Sequence, residues 1–356
     1  MKVKENIKDS LYREIQSFFS SNTVLVVGSG LSCAEGLPGM WDLAVELIKK
    51  VPEELQEESE SQWHNIKNDL LDKNGLVKDN ANLEATLLKY PPSDELELVI
   101  RKITTNFIKD KEQHAIRKVV SGENKLRFSR FIRNFRIPET GLVIICTNYD
   151  RLIEVACEVE RIPIDNLFYG KNISVLDEKK SRMSFCEGIK RNGRAMRRVF
   201  SKKVLIYKPH GCLNWYWFNG EPINSSFDLG LERLIITPGA NKYRNGYDTP
   251  FDIHRGKANT AINAASKFII IGYGFNDDHL ETHLKQRIEN GIPTLILTRT
   301  LSDNTKELIQ DKENIIALSY FKNDKGLGTE VFYKNHLYHM VGIDIWDIEK
   351  FTEEVF

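Results

Sequence analysis

Six short apolar runs recur along this chain: "TVLVVG" at 23–28, "GLVIICT" at 141–147, "KVLIYK" at 203–208, "RLIITP" at 233–238, "KFIIIGYG" at 267–274 and "PTLILT" at 293–298. "NIIAL" at 314–318 offers a seventh. The runs are rich in Val and Ile and do not alternate with polar residues. A strand with one wet face alternates, whereas a strand covered on both faces does not. Helical patterns at 150–159, 256–266, 278–290 and 302–311 lie between several of them. Strands alternating with helices predict an α/β fold, doubly wound about a mainly parallel, Rossmann-like sheet.

Residues 39–139 interrupt that alternation. Charged and apolar residues interleave at helical spacing over 39–50, 54–73, 81–90, 93–110 and 112–136. This stretch is expected to be a helical module inserted into an α/β domain made of 1–38 and 140–320, with 321–356 as a C-terminal extension. A second insertion, 171–203, is basic: Lys179, Lys180, Arg182, Lys190, Arg191, Arg194, Arg197, Arg198, Lys202 and Lys203 fall within it. It reads either as a solvated loop or as a contact surface for nucleic acid or an acidic partner.

Lys+Arg and Asp+Glu number 50 each, so global charge gives no argument for nucleic acid or an anionic membrane. No apolar run approaches the roughly 18 residues that span a bilayer. The five cysteines, Cys33, Cys146, Cys157, Cys186 and Cys212, form no C-x-x-C pair, and no structural zinc is expected. Their odd number and wide spacing, with no signal peptide at the start, fit a reducing cytoplasm.

Four runs end in residues that carry chemistry. The first continues as "GSGLSCAEGLP" at 28–38, where Gly28 and Gly30 permit a tight turn and close approach to a phosphate. A ligand-free strand–helix turn is the alternative. The dinucleotide fingerprint wants a third glycine where Cys33 stands, and no Gly-Lys-Ser/Thr is present. A nucleotide here would sit differently from one in a hydride-transferring dehydrogenase. The second run ends in "CTNYDRL" at 146–152, with Asn148 and Asp150 suited to a ribose hydroxyl or a water, or Asp150 to an Asx turn capping the next helix. The third ends in "KPHGCLNW" at 208–215, where His210 is either a catalytic group or a packing histidine. The fourth, "IIIGYGFNDDHLETHL" at 269–284, supplies Gly272 and Gly274 for close approach and Asn276, Asp277 and Asp278 as caps or ribose contacts. His279 and His283 have the spacing of a metal pair, but no third ligand accompanies them and no metal is assigned. Each motif alone is weak. Delivered to one sheet edge, they could line one crevice.

The order of these motifs resembles the Sir2 (sirtuin) superfamily, and within it the prokaryotic Sir2-like NAD-consuming proteins of antiphage defence. The family pattern G-A-G-x-S, Q-N-x-D, H-G, G-[ST]-S is met here by "GSGLS" (28–32), "TNYD" (147–150), "HG" (210–211) and "GYGF" (272–275), over roughly 22–38 and 140–300. The four-cysteine zinc module of protein-deacylating sirtuins is absent, Thr147 replaces their Gln, and "LNWYWFNG" stands where an acyl-lysine peptide is usually clasped. The resemblance implies a cytoplasmic NAD+ glycohydrolase that depletes cellular NAD on infection and takes NAD+ as substrate. It implies that Asn148 holds the nicotinamide ribose or the attacking water, that His210 is general base, and that Asp150 orients ribose or water. Gly28, Ser29 and Gly30 would cradle the pyrophosphate with Ser32 nearby, Thr147 would be a further NAD-binding residue, and Gly272, Tyr273 and Gly274 would flank the adenosine half, with Asn276 and Asp277 at its ribose. Control is expected from homo-oligomeric assembly or from a separate sensor such as a HerA-like ATPase or an Argonaute-type protein. An NAD-dependent deacylase, or a non-catalytic NAD or ADP-ribose sensor or scaffold, are the alternatives.

Overall fold

The computed structural model describes residues 5–55, 60–193, 195–239, 248–275, 278–324 and 326–356. Helix α1 (Glu5–Gln16) leads into strand β1 (Thr23–Val27) and the short helix α2 (Ser29–Ala34). Five helices follow: α3 (Met40–Glu54), α4 (Glu60–Leu70), α5 (Leu83–Lys89), α6 (Asp94–Val120) and α7 (Arg127–Ile132). The chain returns through β2 (Leu142–Cys146), α8 (Leu152–Val159), β3 (Ile164–Asp165), β4 (Phe168–Gly170), β5 (Ile173–Leu176) and α9 (Glu178–Ser184). Then come β6 (Cys186–Asn192), β7 (Ala195–Phe200), β8 (Val204–Tyr207), β9 (Gly211–Phe218), β10 (Glu221–Ser225), β11 (Arg233–Ile235) and α10 (Phe251–Ala264). The remainder is β12 (Lys267–Ile271), α11 (Asp278–Glu289), β13 (Thr294–Leu297), α12 (Asp303–Ile309), β14 (Ile315–Asn323), β15 (Gly326–Tyr333), β16 (His336–Val341) and α13 (Ile348–Val355).

Among the described residues the main sheet has nine strands in the order β16-β15-β14-β13-β12-β1-β2-β8-β3. Neighbours from β14 to β3 run parallel, and β15 and β16 add two antiparallel strands at one edge. The unbroken Val/Ile runs have their physical cause here, because both sheet faces are covered. Leu25, Val27 and Ile144 pack one way against α1, α7, α8 and α13, whereas Val24, Val26 and Ile270 pack the other way against α10, α11 and α12. Each such side chain stabilises the fold by about 1.5–3 kcal/mol through burial. No helix among the described residues is long and apolar enough to cross a membrane.

Three expectations change. "RLIITP" supplies β11, which belongs not to the parallel sheet but to a second, antiparallel one of order β11-β9-β10-β5-β4. The hairpin β9–β10 turns the chain back beside β9, so this run pairs with β9, Arg233 opposite Tyr216 and Ile235 opposite Gly211, and does not reach the main sheet. The segments expected at 93–110 and 112–136 meet in one helix, α6, because no Pro or Gly interrupts 94–120, and the helix stops just before Gly122 at φ +79°. The basic stretch is not a loop throughout. It holds β5, α9 and the hairpin β6–β7, turned at Gly193 with φ +60°. The helices α3 to α6 close around their own core of Leu47, Trp63, Ile66, Leu87 and Ile100, while Ala115 near the end of α6 joins the core beneath the sheet.

Candidate active site

Strands β12, β1, β2 and β8 are successive neighbours, so the four motif-bearing ends meet along one rim. Strand order departs in opposite directions on the two sides of β1, which is where open parallel sheets leave a crevice. A cavity of about 180 Å³ opens there, lined by Ser29, Ser32, Thr147, Asn148, Tyr149, Asp150, His210, Gly272, Tyr273 and Gly274. Met40, Leu43, Glu84 and Ile108 from the helical module, with Leu37 and Pro38 before it, complete the wall.

Asn148 is buried, and its amide orientation is unambiguous. Nδ2 donates to the carbonyl oxygen of Gly28 at 3.0 Å and to Ser32 Oγ at 2.7 Å. Both amide hydrogens are thereby used, so the atom the side chain can offer a ligand is Oδ1, a pure acceptor. Ser32 Oγ in turn donates a hydrogen bond to Asp150 Oδ2 at 2.7 Å. The other oxygen, Asp150 Oδ1, accepts from the Leu152 amide at 3.1 Å. The expected Asx turn is present, with Arg151 rather than Asp150 as the residue capping α8. Burial first, opposed by Lys208 and the Ser32 hydrogen bond, raises the Asp150 carboxyl above its usual range.

His210 stands half-buried in the turn after β8, and its carbonyl accepts from the Ile236 amide at 3.0 Å. Beneath it lies a buried polar layer. Lys208 is 1% exposed and donates to the Asp150 carbonyl and to Glu154 Oε1 at 3.0 Å. Its backbone amide donates to His254 Nδ1 at 3.2 Å. His254 is fully buried against Trp215, and burial, with the Lys208 ammonium nearby, lowers its pKa to about 3. Behind Asp150, Arg151 makes a two-pronged pair with the fully buried Glu112 of α6, at 3.0 and 2.6 Å.

The glycines serve the backbone before they serve any ligand. A Cβ on Gly28 would meet Gly272 O at 2.6 Å, and one on Gly30 would meet Gly272 Cα at 2.8 Å. The turns after β1 and β12 thus lie backbone against backbone, joined by the Gly30 amide donating to Gly272 O at 2.9 Å. Gly28 and Gly30 are not among the cavity-lining residues, whereas Ser29 between them is. Tyr273 lines the cavity with its ring against Phe275, and its hydroxyl donates to Glu281 Oε1 at 3.4 Å. Thr147 is tied to Val27 O through its amide at 3.0 Å and its hydroxyl at 3.2 Å. Asn276, Asp277, Arg194 and the side chain of His279 lie outside the described residues. Sequence reading missed Lys208, Glu154, His254, Glu112 and the module's wall. Lys208 and Arg151 stand inside the quoted motifs and could have been weighed there; Glu112 carries no local signal.

A family model described as "SIR2-like domain" matches residues 142–317. No curated protein matches the chain. Among solved structures, it is similar to a Sir2 variant with a deacetylated p53 peptide and 3′-O-acetyl ADP-ribose, at 12% identity, 96% coverage of both chains and a TM-score of 0.40. It is also similar to a sirtuin structure on substrate affinity, at 13% identity, 99% and 98% coverage and a TM-score of 0.40. The matched range holds Asn148, Asp150, His210 and Gly272 to Gly274, with 28–32 joining them from the neighbouring β1. With the four motif-bearing strand ends gathered on one rim of a doubly wound sheet, residues 142–317 of the chain are a SIR2-like domain.

Proposed function

We propose that this chain cleaves the nicotinamide–ribose bond of NAD+, giving nicotinamide and ADP-ribose. One observation carries the reading: the Asn148 amide, fixed by Gly28 O and Ser32 Oγ, shares a cavity with His210. Nicotinamide in NAD+ is already cationic, so the bond from its ring nitrogen to C1′ breaks with the electron pair leaving on nicotinamide. Positive charge develops at C1′. Asn148 Oδ1 holds the ribose or the water as that charge forms. Water oxygen bonds to C1′, and its proton goes to His210 as general base. Asp150 acts through Ser32, fixing Asn148. Ser29 and Thr147 flank the phosphates, and the Gly272 to Gly274 turn flanks the adenosine side.

Deacylation is disfavoured by a specific observation. β9, which follows His210 directly, is paired with β10 on one edge and β11 on the other. A peptide cannot add to a strand whose two edges are taken. In the cell the hydrolase reading implies NAD depletion in antiphage defence, held in check by assembly or by a separate sensor, such as a HerA-like ATPase or an Argonaute-type protein.

The test is incubation of the purified chain with NAD+, with and without an acylated peptide, quantifying nicotinamide and ADP-ribose across protein concentrations. Asn148→Ala and His210→Ala should each lower turnover about 100-fold or more. Unchanged turnover in both variants, or nicotinamide release that needs the acylated peptide, would overturn the reading.

A further inference from the structure

A second, larger groove of about 1130 Å³ runs between the hairpin β6–β7, α9, α10 and the outer strands β8 and β3. Lys203 lines it and is only 4% exposed. Its ammonium lies 5.0 Å from the Phe185 ring centre and 5.3 Å from that of Phe200. Among the described residues it has no hydrogen-bond or ion-pair partner. Aromatic faces offset only part of what burial of a charge costs.

Two of the groove's three carboxylates pair with cations other than Lys203, and the third, Asp165, spends Oδ1 on two hydrogen bonds. Glu139 holds Arg197 at 2.6 Å, Glu178 pairs with Lys257, and Asp165 accepts from Ser181 Oγ at 2.7 Å and the Leu167 amide at 3.1 Å. Lys179, Arg182 and Arg198 line the same groove without a carboxylate partner among the described residues. Arg182 sits 5.4 Å from the Phe200 ring that also faces Lys203. Burial depresses the Lys203 ammonium, Asp165 partly restores it, and Arg182 depresses it further. An anion between the two cations would relieve both.

We infer that this groove binds a phosphate-bearing nucleotide ligand, with phosphate between Lys203, Arg182 and Arg198 and the base or sugar against the apolar wall of Phe200, Tyr207 and Met183. The phosphate has two possible sources, a free nucleotide or a nucleic-acid strand, and both present the same chemistry to these side chains. The site is separate from the cavity holding Asn148 and His210, and the inference does not depend on NAD+ cleavage.

The test is fluorescence anisotropy on the full chain with two probes, a labelled mononucleotide triphosphate and a labelled short oligothymidylate. At least one should bind the wild type, and Lys203→Met should weaken that binding about tenfold or more, the loss expected of a buried charged contact. His210→Ala should leave it unchanged. Mononucleotide binding assigns the free ligand; oligonucleotide binding that falls steeply with salt assigns nucleic acid. If circular dichroism shows Lys203→Met unfolded, Arg198→Glu on the exposed hairpin decides by the same criterion. Binding of neither probe, wild-type binding by the deciding variant, or loss confined to His210→Ala overturns the assignment.

Discussion

Ser32 and Asp150, 118 positions apart in the chain, are joined by a 2.7 Å hydrogen bond that fixes the far end of the Asn148 amide. Ser32 is a positioning residue in this arrangement. Ser32→Ala leaves one Asn148 N–H and one Asp150 oxygen without their partner, at a cost to stability of about 1–3 kcal/mol. Turnover of NAD+ should drop by as much as about 100-fold, in kcat more than in KM, because the amide can then rotate. A change confined to KM would show that the hydroxyl contacts substrate instead.

Gly272 holds φ +57°, and a Cβ there would meet the Leu31 amide nitrogen at 2.6 Å. Gly272→Ala therefore combines left-handed strain of about 1–2 kcal/mol with a backbone clash. Thermal unfolding should show a marked loss of Tm, whereas Gly256→Ala, inside α10 with nothing within 4 Å of its Cβ, should hold or raise Tm.

Glu112 and Arg151 couple the module to the site. Glu112→Ala strands the Arg151 guanidinium in a largely buried place and should destabilise by about 3–5 kcal/mol in urea unfolding. Replacing both, Glu112→Leu with Arg151→Met, should recover most of that loss, since apolar packing substitutes for the pair. A double variant no more stable than Glu112→Ala would contradict this account.

His254 sets a pH dependence. Its folded pKa of about 3 lies below the unfolded value of about 6.5. Between those values the unfolded chain takes up a proton that the native state refuses, so stability falls as pH falls through about 6.5. Asp150, raised by burial, acts in the opposite direction, so the comparison is with His254→Gln, which keeps Asp150 and an acceptor for the Lys208 amide. From pH 7.5 to 5 the wild type should lose about 2 kcal/mol more than the variant. Parallel pH–stability curves would refute a neutral buried imidazole.

Legibility in the sequence followed locality. The strand ends were readable because each cavity-lining residue there comes within a few positions of a Val/Ile run whose burial is written in its lack of alternation. Asn148, Asp150 and His210 needed only that the runs be neighbours. "RLIITP" misled because apolar character records burial, not sheet membership, and β11 is buried in the antiparallel sheet. Gly28 and Gly30 were readable as necessary but for a different reason, since their close neighbour is the Gly272 turn. Glu112, Glu154 and His254 were invisible because each acquires its role only through a partner 39 or more positions away.

The length of α6 gives the molecule a lever. Its 27 residues form a rod of about 40 Å. Toward one end Leu96, Ile100 and Ile103 are gripped by the module's own core; farther along, Ile108 is a wall of the cavity and Glu112 clamps the residue after Asp150. A helix transmits displacement along its length with little bending. Any displacement of the module's core along this rod would be carried to Ile108 at the cavity wall and to Glu112 beneath Arg151, so the cavity's shape is tied to residues that never face it.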